Sequence, residues 1–512
     1  MERSRTEYSA INTSVAVISR ITAILMGFVT RVVFTRMLNE NYVGVNGLFT
    51  DILNVLSLTE LGVGTAITYA LYRPIAEKDN LRQQQLMRLF CTFYRGTALC
   101  VAALGMLLLP FLDTLMKSRP DVEHLTLIYL MYLSDSVLSY LLVYKRTLIE
   151  AHQKNYVVLL YQTAFLVLQD VLQIAALVAT RNFILFLALK IICTVLTNIL
   201  ISLKADRLYP YLREPCREEL PQEERREIFK NIRAMMMHKL GLVAVNNTDN
   251  LLISALVGVA SVGIYSNYYL LIGSVRQVLD QVFQGITASV GNLGVMGGKD
   301  RMRKVFETAF FIGQWMYGFA AICLYELLNP FVELAFGGNY VFERRIVLIL
   351  CINFFVTGTR RATLTFRDSM GLFWHDRYKA LAEAGCNLVF SILLVLQFDV
   401  FGVFLGTLLS ALVTSVWIEP FVLYSKGLKA PVLPFFGKYA CYTLFVAGAW
   451  GITDRLCGFV TGTPVVQIVC RLLICVAVPN LLWLLLYHRT EEWRATWQSM
   501  EKVMKKRKVR EE

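Results

Sequence analysis

Charged residues are scarce in this 512-residue chain: Asp, Glu, Lys and Arg make up 17% of it, against about 25% in soluble domains. Hydrophobic residues make up 56%. This composition excludes an ordinary soluble protein and predicts an all-α polytopic membrane protein. Apolar runs of about 20 residues recur from residue 10 to residue 487, and about fourteen spans can be counted when the polar-interrupted runs are accepted.

Recognisable catalytic and metal-binding motifs are also missing. The eleven cysteines include no CxxC pair, and the five histidines are scattered singly, so the ligand spacing of a zinc site is absent. The sequence has no GxxxxGKS/T, GxSxG or HExxH motif, and no segment between the apolar runs is long enough for a catalytic domain. We therefore expect a transporter and not an enzyme, without a metal or organic cofactor. It would be driven by an ion gradient, the membrane potential or the substrate's own gradient, with H⁺ or Na⁺ as the candidate coupling ion.

The net charge of +13 comes from an excess of 51 Lys and Arg over 38 Asp and Glu. Most of the basic residues fall at the two termini and in alternate segments between the apolar runs, which is the positive-inside pattern of membrane proteins. The N-terminus, the segment 207–237 and the C-terminal tail are therefore predicted to face the cytoplasm. We interpret the excess as affinity for anionic membrane lipids, and we do not expect nucleic acid as a partner.

A polar stretch near the middle of the chain divides it into two halves. The predicted organisation is a six-helix lobe at 1–206, a cytoplasmic amphipathic linker at 207–237, a second six-helix lobe at 238–425, two extra transmembrane helices at 426–489 and a basic cytoplasmic tail at 490–512. The motifs YVGV at 42–45 and SVGI at 261–264 stand between the first two spans of each half. Their matching positions favour two pseudo-symmetric lobes, with the two extra helices peripheral.

Two apolar segments in the second half carry polar residues near their middles. Asn246, Asp249 and Asn250 share one helical face. A second set falls within an arc of about 140° on a helical wheel, and it comprises Arg276, Gln277, Asp280, Gln281 and Gln284. One central charge costs about 2.5–3.5 kcal/mol in hydrocarbon, so such stripes should face protein or water and mark a transport pathway. We assign Asn246, Asp249, Asn250 and Asp280 as candidate coupling-ion residues; a neutral, structural Asp249 is the alternative.

The first apolar run carries two arginines on one narrow face. Arg20 and Arg31 lie within about 20° of each other on the wheel, beside small and polar residues. The candidate substrate-binding residues are Arg20, Arg31, Arg276, Gln277, Gln281 and Gln284. Structural alternatives stay open. Arg20 and Arg31 pair with acidic partners, or Arg31 snorkels outward, and Arg276 pairs with Asp280 one turn away.

Five runs of the sequence resemble those of a known family. These runs are NNTDNLLIS at 246–254, VGIYSNYYLLI at 262–272, SVGNL at 289–293, FGGNY at 336–340 and FRDSMGLFWHDRYKALAEAGCNL at 366–388. Together they make the chain similar to the polysaccharide transporter family of bacterial oligosaccharide-lipid flippases, whose superfamily also holds multidrug exporters and the lipid II flippase. The resemblance implies two six-helix bundles facing each other in a V, fourteen helices in all, and a location in the bacterial cytoplasmic membrane. It also implies flipping of undecaprenyl-diphosphate-linked oligosaccharide from the inner to the outer leaflet by alternating access, for export of cell-envelope polysaccharide. Polysaccharide polymerase and glycosyltransferases are the implied protein partners.

The arginines fit such a substrate, because a guanidinium group stays charged and forms planar, bidentate contacts with phosphate. A cation-coupled multidrug exporter of the same superfamily is the alternative, and it would favour an acidic, aromatic lining over several arginines. A membrane glycosyltransferase or polymerase would need a large outer loop with paired carboxylates, whereas the longest predicted outer loops, near 113–123 and 329–344, are short. A non-transporting scaffold would leave the interior charges without a role.

The predicted topology can be tested with single cysteines introduced at Glu224 and Asn339 in a protein stripped of its native cysteines. A membrane-impermeant maleimide added to whole cells should label Asn339→Cys and not Glu224→Cys, because the charge bias places only the first outside. Permeabilised cells are the control and should label both. Outside labelling of Glu224→Cys, or none of Asn339→Cys, would reject the topology.

Overall fold

The secondary structure is helical throughout the part of the chain that the computed structural model describes. This part runs from Arg5 to Trp497, apart from residues 58–62, 215–219, 227, 230–247, 297–298, 371, 373–374 and 377. No β-strand occurs among these residues. The all-α polytopic membrane fold predicted from the apolar runs is confirmed.

The chain forms two compact units, Met1–Gly263 and Ile264–Glu512. The first unit holds α1 (Arg5–Met37), α2 (Glu40–Leu56), α3 (Val63–Ala76), α4 (Asn80–Leu108), α5 (Leu125–Tyr140), α6 (Val143–Ala151), α7 (Asn155–Thr180), α8 (Phe183–Leu208) and α9 (Thr248–Leu256). Short 3₁₀ turns follow α4 and α8, at Leu109–Leu115 and Pro210–Arg213. The boundary between the units falls inside α10 (Val259–Met296).

The second unit contains most of α10 and the helices that follow it. These are α11 (Lys299–Phe336), α12 (Arg344–Thr359), α13 (Arg361–Ser369), α14 (Lys379–Val413), α15 (Ser415–Val422), α16 (Leu433–Gly458) and α17 (Pro464–Tyr487). A 3₁₀ turn lies at Gly338–Tyr340 and a π turn at Leu423–Leu428. Within the predicted linker at 207–237, residues 215–219, 227 and 230–237 lie outside the described residues, and the predicted domain boundaries stay a prediction.

Eight of the described helices or merged helical runs are long and apolar enough to cross a membrane, and the bent pair α5–α6 makes nine. One of them, Lys379–Leu428, has 50 residues and would be about 75 Å long if straight, well over twice the hydrocarbon thickness of about 30 Å. Asp399 interrupts it with φ 50° and ψ −135°. Beyond this residue, Gly402 and Gly406 pack so closely on Leu394 and Ser391 that a Cβ would collide with them. The run therefore folds back as two spans, and the total of fourteen spans stays a prediction.

Side-chain caps define where helices of the first unit begin. The Oδ1 of Asn39 accepts a hydrogen bond from the backbone N–H of Tyr42 (3.2 Å) at the start of α2. The Oδ1 of Asn182 likewise accepts from the N–H of Leu185 (3.1 Å) at the start of α8. Each cap satisfies a first-turn donor that has no acceptor within its helix, so the sequence sets these two helix starts locally.

The two matching motifs of the sequence meet at a helix crossing. Gly44 of YVGV lies on α2, and Gly263 of SVGI lies near the start of α10. A Cβ placed on Gly44 would lie 2.0 Å from the carbonyl oxygen of Val259, and one on Gly263 would lie 2.5 Å from that of Glu40. Only glycine permits backbones to approach this closely, as in other small-residue contacts between membrane helices. The repeated glycines therefore hold the starts of α2 and α10 together.

The beginning of the C-terminal tail is fixed to the second unit. Trp493 packs on Trp315 of α11 with ring centroids 5.5 Å apart. Lys438 on α16 donates hydrogen bonds to Glu307 (2.7 Å) and Glu492 (2.8 Å). Trp493 is therefore a packing residue of this unit, and the basic stretch 498–512 lies outside the described residues.

The close approach of α2 and α10 predicts that adding one methyl group at Gly44 lowers the stability of the protein. Gly44→Ala should destabilise the protein by about 1–3 kcal/mol, because α2 and α10 must separate to admit the Cβ. Gly96→Ala on α4 is the control, since a Cβ there meets nothing within 4 Å. Thermal unfolding of the purified proteins in detergent should show a lower melting temperature for Gly44→Ala only. Equal melting temperatures for the two variants and the parent would show that the crossing tolerates a side chain.

Candidate functional site

An aspartate of the second unit joins three helices. Asp280 on α10 accepts a hydrogen bond from the hydroxyl of Tyr317 on α11 (2.6 Å) and another from Nη2 of Arg361 on α13 (2.6 Å). The contact with Arg361 is an ion pair, and Asp280 is its more buried member. These two hydrogen bonds satisfy the carboxylate, and the bond from Arg361 also fixes the orientation of its guanidinium group.

Arg276 adds a second guanidinium group to this site. It lies one turn before Asp280 on α10, within electrostatic reach of Asp280 and Arg361. The Nε of Arg276 is buried without a hydrogen-bond acceptor among the described residues, and so is the Nε of Arg361. We name Arg276, Asp280, Tyr317 and Arg361 the arginine cluster. It carries one positive charge in excess of its carboxylate and two unsatisfied N–H donors.

The cluster differs from the pairing that the sequence suggests as a structural alternative. Asp280 makes its ion pair with Arg361 of another helix and not with its helix neighbour Arg276. The side chains of Gln277 and Gln281 are exposed on the same helix, and that of Gln284 lies outside the described side chains. No group of three or more His, Cys, Asp or Glu that could hold a metal ion occurs where the structure describes the chain.

The remaining predicted site residues lie in the first unit. Arg20 is exposed on α1, and Arg31 is half-buried near Tyr132. Asn250 on α9 donates a hydrogen bond to the carboxylate of Asp51 on α2. Asp249 is half-buried beside Asn250, and Asn246 lies outside the described residues. Asn250 therefore contacts Asp51, a carboxylate that was not among the candidate coupling-ion residues predicted from the sequence.

Another charged group of the second unit is fully compensated. Arg360, at the junction of α12 and α13, donates two hydrogen bonds to Glu419 (2.7 and 3.0 Å) and one to Glu383 (3.2 Å). Lys379 pairs with the same Glu419, whose side chain is 0% exposed. Two cations thus face two carboxylates. This network offers no net charge to a ligand, and its role is to fix α13, α14 and α15 to one another.

Sequence reasoning missed Arg361 and the network around Arg360. The available signal was the pair of adjacent arginines inside an otherwise apolar run, with Glu383 and Glu419 in later apolar runs. Helical periodicity groups residues of one helix, and it carries no information on which helices become neighbours. The partners of these arginines therefore emerge only from the fold.

The first unit encloses a polar cavity of about 620 Å³ between α1, α5, α6, α7 and α8. The polar residues that line it are Ser139, Tyr140, Arg146, Gln162, Gln169, Asp170, Thr194, Thr197 and Asn198, and the others are Ala23, Gly27, Val143, Phe165 and Leu166. Asp170 is 6% exposed and makes no ion pair with the described residues. Polar side chains thus outnumber apolar ones in the lining of this cavity.

A break in a membrane span borders this cavity. Helices α5 and α6 are bent by 42° where they meet, and residues on both sides of the bend line the cavity. Asn198 on α8 donates a hydrogen bond to the carbonyl oxygen of Ser139 (3.3 Å), just before the bend. Irregular backbone at membrane depth is tolerated where it is buried in protein or lines a water-filled space. The bend therefore forms part of the cavity wall.

Comparison with known proteins agrees with this architecture. The sequence profile of a family described as "polysaccharide biosynthesis protein" matches residues 9–285. A search of curated proteins finds no significant match.

Solved structures show the same fold at low sequence identity. The lipid II flippase MurJ in an inward closed conformation aligns with a TM-score of 0.67 and 12% identity, over 92% of this chain and 98% of MurJ. An inward-facing multidrug resistance MATE family transporter of the MOP superfamily aligns with a TM-score of 0.57 and 15% identity, over 80% and 95% of the two chains. A mutant of the Vibrio cholerae MATE transporter VcmN aligns with a TM-score of 0.51 and 16% identity, over 83% of this chain and 99% of VcmN.

Proposed function

Because the chain belongs to the polysaccharide biosynthesis protein family, we propose that it is a flippase for undecaprenyl-diphosphate-linked oligosaccharide. It would move this lipid from the inner to the outer leaflet of the bacterial cytoplasmic membrane by alternating access. The observation that carries the proposal is the positive excess of the arginine cluster, with two guanidinium groups for one carboxylate. A diphosphate is the part of the substrate that supplies the missing negative charge.

The chemistry of the cluster suits a phosphate group in three respects. Arginine remains charged at every physiological pH and presents parallel N–H donors to phosphate oxygens. The buried Nε donors of Arg276 and Arg361 have no protein acceptor among the described residues, so a bound anion would remove an existing penalty. Asp280, which also accepts from Tyr317, holds Arg361 in place without neutralising both arginines.

A cation-coupled multidrug exporter is the competing function, since MATE transporters share the fold. A cationic drug requires an excess of carboxylates at its site, because a buried cation without a counter-ion is costly. The arginine cluster has the opposite excess. Its charge therefore favours an anionic lipid headgroup over a cationic drug.

Substitution of the arginines tests the phosphate assignment. In cells that lack the native gene, Arg276→Gln and Arg361→Gln should each lower polysaccharide export by about 10- to 100-fold, because each removes charge-assisted hydrogen bonds to phosphate. Arg276→Lys should also impair export, since it keeps the charge and loses the planar donors. Arg345→Gln, an exposed arginine paired with Glu343, is the control and should export normally. Immunoblots of surface polysaccharide and of the protein itself give the readout.

A double variant distinguishes binding from charge balance. If Arg361 only neutralises Asp280, then Arg361→Gln combined with Asp280→Asn should restore export. Under our proposal the double variant remains inactive, because the guanidinium group that binds the phosphate is still missing. Normal export by the double variant would show that Arg361 is structural.

We also propose that an H⁺ or Na⁺ gradient drives the cycle through Asp249, with Asn250 and Asp51 beside it. Asn250 links α9 to the Asp51 carboxylate. A carboxylate inside a membrane can take up H⁺, and carboxylate and carboxamide oxygens can both coordinate a hard cation such as Na⁺. These residues lie in the first unit, whereas Asp280 is engaged by Arg361 and Tyr317 in the second.

The coupling proposal predicts a change in ion dependence rather than in protein level. Asp249→Asn should weaken the response of transport to pH or Na⁺ while the variant still accumulates in the membrane. Asp300→Asn, at an exposed position on α11, should respond as the parent does. Transport by Asp249→Asn that follows both gradients like the parent would assign Asp249 a structural role.

A further inference from the structure

The polar cavity of the first unit differs in charge from the arginine cluster. Its lining contains one cationic residue, Arg146, and one carboxylate, Asp170, among many uncharged hydrogen-bonding groups. Arg146 is also paired with Glu150 (2.8 Å). We propose that this cavity binds the uncharged hydroxyl groups of the oligosaccharide, and the proposal rests on the flippase function proposed above. The cavity is thus a glycan site, separate from the phosphate site of the second unit.

The volume of the cavity argues against a single ion as its occupant. The coordination sphere of a dehydrated metal cation has a radius of about 2.5 Å and thus fills roughly 65 Å³. The cavity holds about 620 Å³, which is within the range of about 300–1,000 Å³ found for sites of organic ligands. An organic group several sugar rings in size matches this space.

The polarity of the lining selects among organic ligands. Sites for drug-like molecules are lined mainly by apolar side chains with a few polar groups. Here nine of the fourteen lining residues are polar. Six of them already bond to other protein groups, and an apolar ligand would leave the polar groups of Gln162 and Thr194 unsatisfied. A sugar presents a hydroxyl on most of its carbons, and each hydroxyl can donate one hydrogen bond and accept others.

Two lining residues have hydrogen-bonding groups available for such hydroxyls. Gln162 on α7 and Thr194 on α8 make no side-chain hydrogen bond with the described part of the chain. A carboxamide both donates and accepts, and it can therefore bridge two neighbouring hydroxyls. Asp170, buried and without an ion pair, adds an acceptor on the same wall as Gln162. Phe165 and Tyr140 supply aromatic surface for the carbon face of a sugar ring.

The bend between α5 and α6 is an independent feature that points to a ligand. Interrupted helices in membrane transporters expose backbone groups to the substrate space, and the polar contents of that space satisfy them. At this bend Asn198, a lining residue of the cavity, donates to the carbonyl oxygen of Ser139, and the N–H groups of Leu141 and Lys145 donate to carbonyl oxygens of the same segment. The cavity therefore combines a polar wall, an interrupted helix and a volume suited to several sugar rings.

Binding to the full-length protein in lipid nanodiscs tests the proposal with two probes. One is undecaprenyl diphosphate, and the other is the lipid-linked oligosaccharide extracted from cells in which this gene is deleted. Gln162→Leu combined with Thr194→Val preserves side-chain volume and removes the polar groups. We expect this variant to bind the lipid-linked oligosaccharide about 10-fold more weakly, because at least two hydrogen bonds are lost, and to bind undecaprenyl diphosphate as the parent does. Thr163→Val on α7, whose side chain does not line the cavity, is the matched control.

The outcomes separate this proposal from the proposed function. A parent protein that binds neither lipid contradicts the flippase function itself. If the parent binds both lipids, and the cavity variant loses neither or loses both equally, the glycan site is wrong while the flippase function stands. An Asp170→Asn variant that loses ion dependence of transport with unchanged affinity for the lipid-linked oligosaccharide assigns the cavity to a coupling ion, and this also overturns the proposal.

Discussion

A charge within the hydrocarbon of a membrane costs several kilocalories per mole unless a partner accompanies it, and the charged residues of this protein follow from that constraint. Arg360 is matched by Glu419 and Glu383, and Lys190 by Asp135 at 3.0 Å. Arg276 departs from this pattern, because the nearby carboxylate of Asp280 is bound to Arg361. Balanced groups of this kind hold helices together, whereas the unbalanced one is stabilised most when an anion binds. Charge balance thus separates the compensated arginine at position 360 from the arginine cluster, to which we assign the proposed binding role.

The two units differ in the chemistry of their polar sites. The second unit presents a positive excess with unsatisfied guanidinium donors, and the first presents a polar cavity with little net charge. A lipid-linked oligosaccharide carries both complements, a diphosphate and a neutral or weakly charged glycan. Electrostatic attraction is strong and indifferent to the identity of the sugar, while hydrogen bonds to hydroxyls depend on their arrangement. Affinity and sugar selectivity would therefore reside in separate parts of the molecule.

Much of the fold was predictable because hydrophobic runs and helical periodicity are properties of the sequence itself. The sequence alone indicates the helices, the polar stripe at Arg276 and the glycine motifs at Gly44 and Gly263. The polar residues of α10 also explain why this helix is not among the apolar spans, since they lower its mean hydropathy. The partners of Asp280 and Arg360 could not be predicted, because they come from helices distant in the sequence. Trp493 shows the same limit: the sequence assigned it to a basic tail, and only the structure shows that it packs on Trp315.

Transport by the purified protein in proteoliposomes tests the central claim most directly. Fluorescently labelled lipid-linked oligosaccharide, quenched from outside by dithionite, would be compared with the cationic drug ethidium in the same vesicles. Our account predicts that the parent protein speeds the flipping of the lipid over protein-free vesicles, that Arg361→Gln abolishes the increase, and that ethidium is not carried. Carriage of ethidium without flipping of the lipid would contradict it.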